Sequence, residues 1–309
     1  QEQAKRAMEI AAAGGHNIIM IGSPGAGKTM LARALPGILP SLENKESLEV
    51  TRIYSASGNI SPGGSIIKTR SFRSPHHSTS MVGLIGGGRD LSPGEISLAH
   101  RGVLFLDEFN EFPRSVLEAL RQPLEDGHVT ISRATGKVRY PSRFVLAASA
   151  NPCACGYLNH PRKECLCGPR EIARYRKKIS GPILDRIDLQ IEIPAVDIEE
   201  LKTDKRATKF LESSEIIRGR VISARKIQGK RFKDENIFTN AEMKNREIKK
   251  YCPLSKEVEG VLVQAAKSLQ LSARSYYKMI KIARTIADLA GSPEIELSHM
   301  AEALQYRTK

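Results

Sequence analysis

An α/β core followed by a helical tail is the fold this 309-residue sequence predicts, and three stretches with one contrast predict it. In "HNIIMIGSPGAGKTMLARALPGIL" an apolar, strand-like run passes through a glycine-rich loop into helical spacing. In "GVLFLDEFNEF" four apolar residues, Val103 to Leu106, end in two acids, and "RFVLAASAN" is a third strand-like run. Beyond about residue 205 the pattern changes: "SEIIRGRVISARKIQGKRF", "SKEVEGVLVQAAKSLQ" and "HMAEALQYR" place apolar residues at helical intervals. Residues 1–204 therefore read as the α/β domain and 205–309 as a helical lid.

The opening "QEQAKRAMEIAAAGGHN" reads as an amphipathic helix ending at Gly14 and Gly15. It lacks the charged head and apolar centre of a signal segment. No run of about eighteen apolar residues exists, so no membrane-spanning helix is expected and the reading is cytoplasmic. Lys and Arg number 48 against 34 Asp and Glu, a surplus of 14 that would draw a polyanion from a distance. A solvated basic surface would show the same surplus.

The glycine-rich loop lies where a phosphate-binding loop requires it, between a strand and a helix. Gly22, Gly25 and Gly27 allow backbone N–H groups to turn inward, so that Gly22, Ser23, Pro24, Gly25, Ala26, Gly27, Lys28, Thr29 and Met30 would surround the phosphates of ATP. Lys28 supplies a point charge to the β and γ phosphates and Thr29 a hydroxyl to Mg²⁺. On the second strand Asp107 can orient the Mg²⁺ and Glu108 can polarise the attacking water. On the third, Asn151 could align that water or touch the γ-phosphate, although strand-end asparagines are commonly turn formers. Asn110, Pro113, Val116, Leu117, Leu120 and Leu124 read as one capped helix closing at Gly127.

Further along, Arg186 in "ISGPILDRIDLQIEIP" sits at the start of a strand-like alternation. It is either a structural ion-pair arginine or a finger reaching a neighbouring subunit's γ-phosphate, and spacing does not separate the two. Arg274 follows a capping Ser272 at the head of a helix carrying Met279, Ile282, Ala283, Ile286 and Leu289. It is a solvated first-turn residue or a lid residue folding onto nucleotide.

Four of the five cysteines fall in "NPCACGYLNHPRKECLCGP". The pairs Cys153, Cys155 and Cys165, Cys167 offer four thiolates, the set a closed tetrahedral Zn²⁺ site takes, with Gly156 and Gly168 providing tight turns. A redox pair is disfavoured by the doubling, and an iron–sulfur cluster is the lesser alternative. Cys252 reads as a small, partly buried residue. His76 and His77 have no acid or cysteine beside them in sequence and read as loop residues or hydrogen-bond partners more readily than as metal ligands.

With "SFRSPHHSTSMVGLIGGG", "PGEISLAHRGVLFLDEFNEF" and "NPCACGY" added to these motifs, the chain closely resembles the magnesium-chelatase-like ComM/YifB family of AAA+ ATPases over nearly its whole length. The resemblance implies a P-loop AAA+ core with a parallel sheet flanked by helices, β-hairpin insertions and a C-terminal helical lid. It also implies a homo-oligomeric ring, hexameric, with nucleotide between subunits. Lys28, Thr29, Asp107, Glu108 and Asn151 would act within one subunit, Arg186 as the finger in trans, and Arg274 as the second sensor. Family members usually carry a Lon-like domain ahead of this core, and the sequence begins at the helix leading into the phosphate loop.

An insertion at about 52–100 points toward the ring channel in relatives, which makes Lys68, Arg70, Arg73 and Arg89 candidates for its lining. A hairpin at about 128–143, turning at "RATG", carries Arg133, Lys137, Arg139 and Arg143. Such residues would bind DNA phosphates without regard to sequence and more weakly in salt. The expected function is ATP hydrolysis driving DNA translocation or branch migration. A chelatase-type motor inserting metal into a porphyrin, and a protein-remodelling ATPase, are the alternatives. A protein-remodelling pore would favour aromatic residues, and the insertion has no tryptophan and, after Tyr54 at its start, only Phe72.

Overall fold

The computed structural model describes residues 2–60, 64–133, 136–195 and 212–307. Helix α1 (Glu2–Gly14) leads into β1 (Ile18–Gly22), and the glycine-rich loop joins β1 to α2 (Lys28–Ile38), followed by α3 (Asn44–Ala56). Next come β2 (Phe72–Arg73), α4 (Met81–Ile85), a small hairpin of β3 (Gly86–Gly87) and β4 (Ser92–Pro93), α5 (Glu95–Leu98) and β5 (Val103–Leu106). The chain continues through α6 (Arg114–Ala119), α7 (Arg121–Asp126), β6 (His128–Arg133), β7 (Gly136–Pro141), β8 (Val145–Ala150), α8 (Pro169–Arg176), α9 (Gly181–Leu184) and β9 (Leu189–Ile193). The last elements are α10 (Ser214–Arg231), α11 (Asn245–Tyr251), α12 (Lys256–Ser268), α13 (Ala273–Ala290) and α14 (Leu297–Gln305).

Five strands form a parallel sheet in the order β2-β5-β8-β1-β9. The central strands β5 and β8 are buried at every position. Such strands read as continuous apolar runs because helices cover both faces of a parallel sheet. The order sets the tips of β5 and β8 beside one another and that of β8 beside β1. Thr29 and Asp107, 78 residues apart in sequence, thereby arrive with Asn151 at one end of the sheet.

Two compact units are distinguishable. One comprises Met20–Pro36 and Ser41–Arg186. Its core is β5 and β8 with Phe109, Val116, Leu117 and Leu120. The second comprises Gln1–Ile19, Gly37–Pro40 and Ile187–Lys309. There α1 buries Ala4, Ala7, Met8 and Ile10 to Ala13, and α13 buries Met279, Ile280, Ile282, Ala283 and Ile286. A polar net threads this second core: Asp288 accepts from Arg231 at 2.8 Å and Arg284 at 3.1 Å, while the Asn240 amide donates to Asp288 at 2.8 Å. Buried charge is tolerated there because each carboxylate oxygen is paired. The boundary expected at residues 204 and 205 lies outside the described residues.

Two local expectations differ from the fold. The single helix expected to close at Gly127 is two short ones, α6 and α7, joined at Leu120. Pro123 lacks the N–H that would bond the carbonyl of Ala119, so α6 does not run on. Asn110 is not a cap; it is buried in a 3-10 turn and its amide donates to the Tyr175 carbonyl at 3.3 Å. Arg186, expected at the start of a strand, lies in the turn after α9, three residues before β9. Ala134 and Thr135 of the expected hairpin turn lie outside the described residues, but β6 and β7 pair antiparallel from His128↔Pro141 to Arg133↔Gly136.

Candidate nucleotide-binding site

The loop after β1 owes its shape to Gly25 and Gly27, whose φ values of 80° and 87° are disfavoured for residues bearing a Cβ. Its backbone carbonyls hold Lys28, whose Nζ donates to Gly22 O at 2.5 Å, Ser23 O at 3.0 Å and Asn151 Oδ1 at 3.2 Å. These three bonds use the three N–H groups of an ammonium, so a bound phosphate oxygen would exchange with one of them. Burial lowers the Lys28 pKa, opposed by the charges of Asp107 and Glu108. Met30 follows at the surface, 75% exposed.

Asp107 lies at the tip of β5 with both oxygens engaged. Oδ2 accepts from the Thr29 hydroxyl at 2.9 Å; Oδ1 accepts from the hydroxyl of Ser149 and from the backbone N–H of Glu108 at 3.1 Å. Thr29 and Asp107 are thus adjacent oxygen donors of the hard type Mg²⁺ selects. Sequence reading overlooks Ser149. Its signal is a hydroxyl inside the otherwise apolar "VLAASA", two residues before Asn151 and so on the same face of β8.

Glu108 leaves the strand in the left-handed region, φ 52° and ψ 48°, a conformation that costs a non-glycine residue about 1–2 kcal/mol. Its N–H is held by Asp107 and by Ser149 Oγ at 3.2 Å, which offsets part of that cost. The side chain is 56% exposed and faces His77, whose Nδ1 lies 3.3 Å from Oε2. Sequence distance hid this pairing, since the two residues sit on separate strand connections.

The cysteines converge as well. Their Sγ atoms all lie within 4.8 Å of one another, with Cys153 to Cys155 at 3.4 Å, Cys153 to Cys165 at 3.7 Å and Cys155 to Cys165 at 3.6 Å. A tetrahedron built on Zn–S bonds of about 2.3 Å has edges of about 3.8 Å, so the donors fit that ion. Backbone N–H groups of Leu158 and Cys155 donate to Cys153 Sγ and Cys167 Sγ at 3.3 and 3.4 Å. The knot packs on the phosphate loop: Gly156 has φ 82°, and a Cβ there would come within 2.7 Å of Pro24 Cδ.

Arg186 is 8% exposed; its guanidinium pairs with Glu125 and donates to Pro182 O at 2.7 Å. Arg274 occupies the first turn of α13 in the helical unit, half-buried behind the Ser272 cap. Of the basic candidates, Arg70 is turned inward, bonding Glu46 at 2.8 Å and the Arg101 carbonyl at 2.6 Å. Arg73 pairs with Glu95 at 2.7 and 2.5 Å. Lys68, Arg89, Arg133, Lys137 and Arg139 are exposed. Lys137 and Arg139 share one face of β7, and Arg139 Nη2 lies 2.9 Å from His128 Nδ1. No helix among the described residues is long and apolar enough to cross a membrane.

Residues 1–201 match the family model described as magnesium chelatase, subunit ChlI, and residues 211–307 match its C-terminal companion. The chain is 46% identical over 309 residues to the protein YifB of Salmonella typhimurium, covering 99% of this chain and 59% of that one. It is 45% identical over 308 residues to competence protein ComM of Haemophilus influenzae, covering 99% and 58%. Against the magnesium-chelatase 38 kDa subunit of Rhodobacter capsulatus the identity is 28% over 171 residues, 49% of this chain and 48% of that one. The chain thus spans about three fifths of the length of its YifB and ComM relatives.

Proposed function

The chain belongs to the magnesium-chelatase family of AAA+ type, and from that premise we propose that it is the motor core of a ring-forming ATPase that moves or remodels DNA. The observation that supports ATP hydrolysis is the convergence of Lys28, Thr29, Asp107, Glu108 and Asn151 at one end of the sheet. When bound at Thr29 and Asp107, Mg²⁺ would neutralise charge on the phosphate oxygens. The loop's N–H groups and Lys28 bind the phosphates of ATP. Glu108 accepts a proton from water as the water oxygen bonds to the γ-phosphorus and the β–γ bridging oxygen leaves with ADP. Asn151, tied to Lys28 through Oδ1, presents amide donors toward the γ-phosphate or that water. Arg186 acts on a neighbour's nucleotide after exchanging Glu125 for it, and Arg274 acts as the lid sensor. Held by Cys153, Cys155, Cys165 and Cys167, Zn²⁺ would cross-link a loop poor in apolar groups that rests against Pro24.

DNA is favoured as the substrate by the exposed basic pair Lys137 and Arg139, by the +14 net charge, and by the relative that bears a competence name. The chelatase relatives match only about half the chain at lower identity. A porphyrin-metallating motor remains the second reading, favoured by the family model's own description. The test is ATP hydrolysis by the assembled protein with and without single-stranded, forked and four-way-junction DNA, with Lys28→Ala as blank. Stimulation that fades with added salt is the expected result. Hydrolysis indifferent to every DNA would overturn the DNA reading in favour of the chelatase type.

A further inference from the structure

The chain leaving the cysteine knot carries charge that the hydrolytic scheme does not use. From residue 162 to residue 178 there are seven Lys and Arg against two acids, Glu164 and Glu171. Helix α8 turns the half-buried Ile172 and the buried Tyr175 inward. On its opposite side Arg170, Arg174 and Lys177, the last at the C-cap, follow one another at intervals of four and three residues, and all three are exposed. Among the described residues none of these three side chains has an ion pair or a hydrogen bond. Several other cations of the same unit are matched: Lys178 meets Glu111 at 2.9 Å, Arg121 meets Glu118 at 3.2 Å and Arg186 meets Glu125.

Helix stability does not account for the stripe. Arg170 and Arg174 stand four apart, where like charges repel, and Arg170 lies in the first turn, where the helix dipole disfavours a cation. The helix is held from elsewhere. Glu171 accepts from the Gly168 N–H at 3.0 Å, and Tyr175 packs inward. Cys167, two residues ahead of α8, belongs to the four-sulfur cluster, and its Sγ accepts from Cys155 N at 3.4 Å. The knot in turn rests on Pro24 through Gly156, so the stripe stands on a base that reaches the phosphate loop.

The spacing of the cations selects the ligand. Arg174 lies about 6 Å and Lys177 about 10 Å beyond Arg170 along the helix axis, and a DNA strand carries one phosphate per about 3.4 Å of its own axis, so three cations in a row meet successive charges of one backbone. A protein partner would find little apolar centre, since Leu166 is the one large exposed hydrophobic within residues 153–178. Nor does the knot offer a free stacking platform: Lys163 Nζ lies 4.7 Å over the Tyr157 ring, and His160 meets that ring edge-on at 5.6 Å. We propose that the outer face of α8 is a second DNA-binding surface, one that holds the phosphate backbone of single and double strands without regard to base. It rests on the DNA reading above and adds to it a site separate from the β6–β7 hairpin.

The experiment follows fluorescence anisotropy of labelled single-stranded and duplex DNA of mixed sequence across a salt series, with a non-hydrolysable ATP analogue present. It compares the native protein with a stripe variant (Arg170→Gln, Arg174→Gln, Lys177→Gln), a hairpin variant (Lys137→Gln, Arg139→Gln) and a charge control in the helical unit at three exposed lysines (Lys226→Gln, Lys230→Gln, Lys233→Gln). The stripe variant should bind both DNA forms about tenfold or more weakly at low salt. Its plot of log affinity against log salt should be shallower by about 3 on duplex and about 2 on single strands. The control should bind as the native protein does, and stripe and hairpin variants combined should bind more weakly than either. Native affinity and slope in the stripe variant would overturn the proposal while leaving the DNA reading to the hairpin, and so would an equal loss in the control, which would assign the effect to net charge. Should the stripe variant fail to assemble, Arg174→Gln alone carries the test with a slope about 1 shallower, and lost assembly with native DNA affinity there would make the face a contact between copies and overturn the proposal. Absence of DNA binding in the native protein would remove the DNA reading and this surface together.

Discussion

Ser149 shows how much of this site depends on a residue that never meets the substrate. Its hydroxyl and the Glu108 N–H are the donors to Asp107 Oδ1, while Thr29 occupies Oδ2. A hydrogen bond to a charged group contributes about 1.5–3 kcal/mol. Ser149→Ala is therefore expected to raise the Mg²⁺ concentration for half-maximal hydrolysis about tenfold or more, with the fold unchanged; a Mg²⁺ titration of ATPase rate checks it. Lys28, Thr29, Asp107 and Glu108 were legible because their chemistry needs those residue types beside a glycine loop and an apolar strand. Ser149 was not, because a serine in a strand is common without any such duty.

The cysteine knot was readable as an element, and its neighbourhood was not. The two C-x-C pairs announce four soft ligands at tetrahedral spacing, and the observed sulfur distances suit that set. That the knot rests on Pro24 through Gly156 is a consequence of chain path, and it would give a metal held by the four thiolates a bearing on the phosphate loop. Cys155→Ser should abolish stoichiometric zinc, lower the melting temperature by about 5 °C or more and weaken nucleotide binding. Metal analysis and calorimetry on the same sample check all three; full nucleotide affinity in a zinc-free variant would separate the knot from the loop. The helix broken at Leu120 is the converse case, where apolar spacing was read as continuous and Pro123, plainly visible, carried the contrary signal.

At the scale of the whole molecule, acid and assembly are the two tests. Burial lowers the pKa of His16, with Asp188 opposing, and burial likewise lowers that of His100, with Glu49 opposing. The unfolded chain therefore takes up protons first as pH falls through about 6.5, and stability begins to decline there. Hydrogen bonding from His100 holds Glu49 down to about 2, so its share is complete above about 4.5 and is lost between there and about 2. For Asp188 burial would raise the pKa, but Lys278 and His16 outweigh it and hold the carboxyl well below the usual range. Its share also disappears only in strong acid. Melting temperature should thus fall in two stages on acidification, the first absent in a His16→Gln, His100→Gln double variant that still folds. For assembly, inactive Lys28→Ala and Arg186→Ala proteins mixed in equal amounts should regain hydrolysis, since roughly a quarter of random head-to-tail interfaces pair an intact loop with an intact finger. No regain in mixed rings would remove Arg186 from action in trans.

The sequence by itself determined the α/β class, the strand–loop–helix carrying Lys28, the acidic strand end and the cysteine ligand set. Each is written in local pattern: period, glycine, charge at an apolar terminus, or donor spacing. Only the tertiary structure decided which distant residues share a site. Strand order β2-β5-β8-β1-β9 set Asn151 on Lys28 and Ser149 on Asp107, and the connection after β2 brought His77 to Glu108. It also decided which of the basic residues remain available, turning Arg70 and Arg73 onto Glu46 and Glu95 while Lys137 and Arg139 stay exposed. The reason is that side-chain partnership depends on strand register and chain crossing, which no window of sequence contains, whereas secondary structure and ligand type depend on neighbours within a few residues.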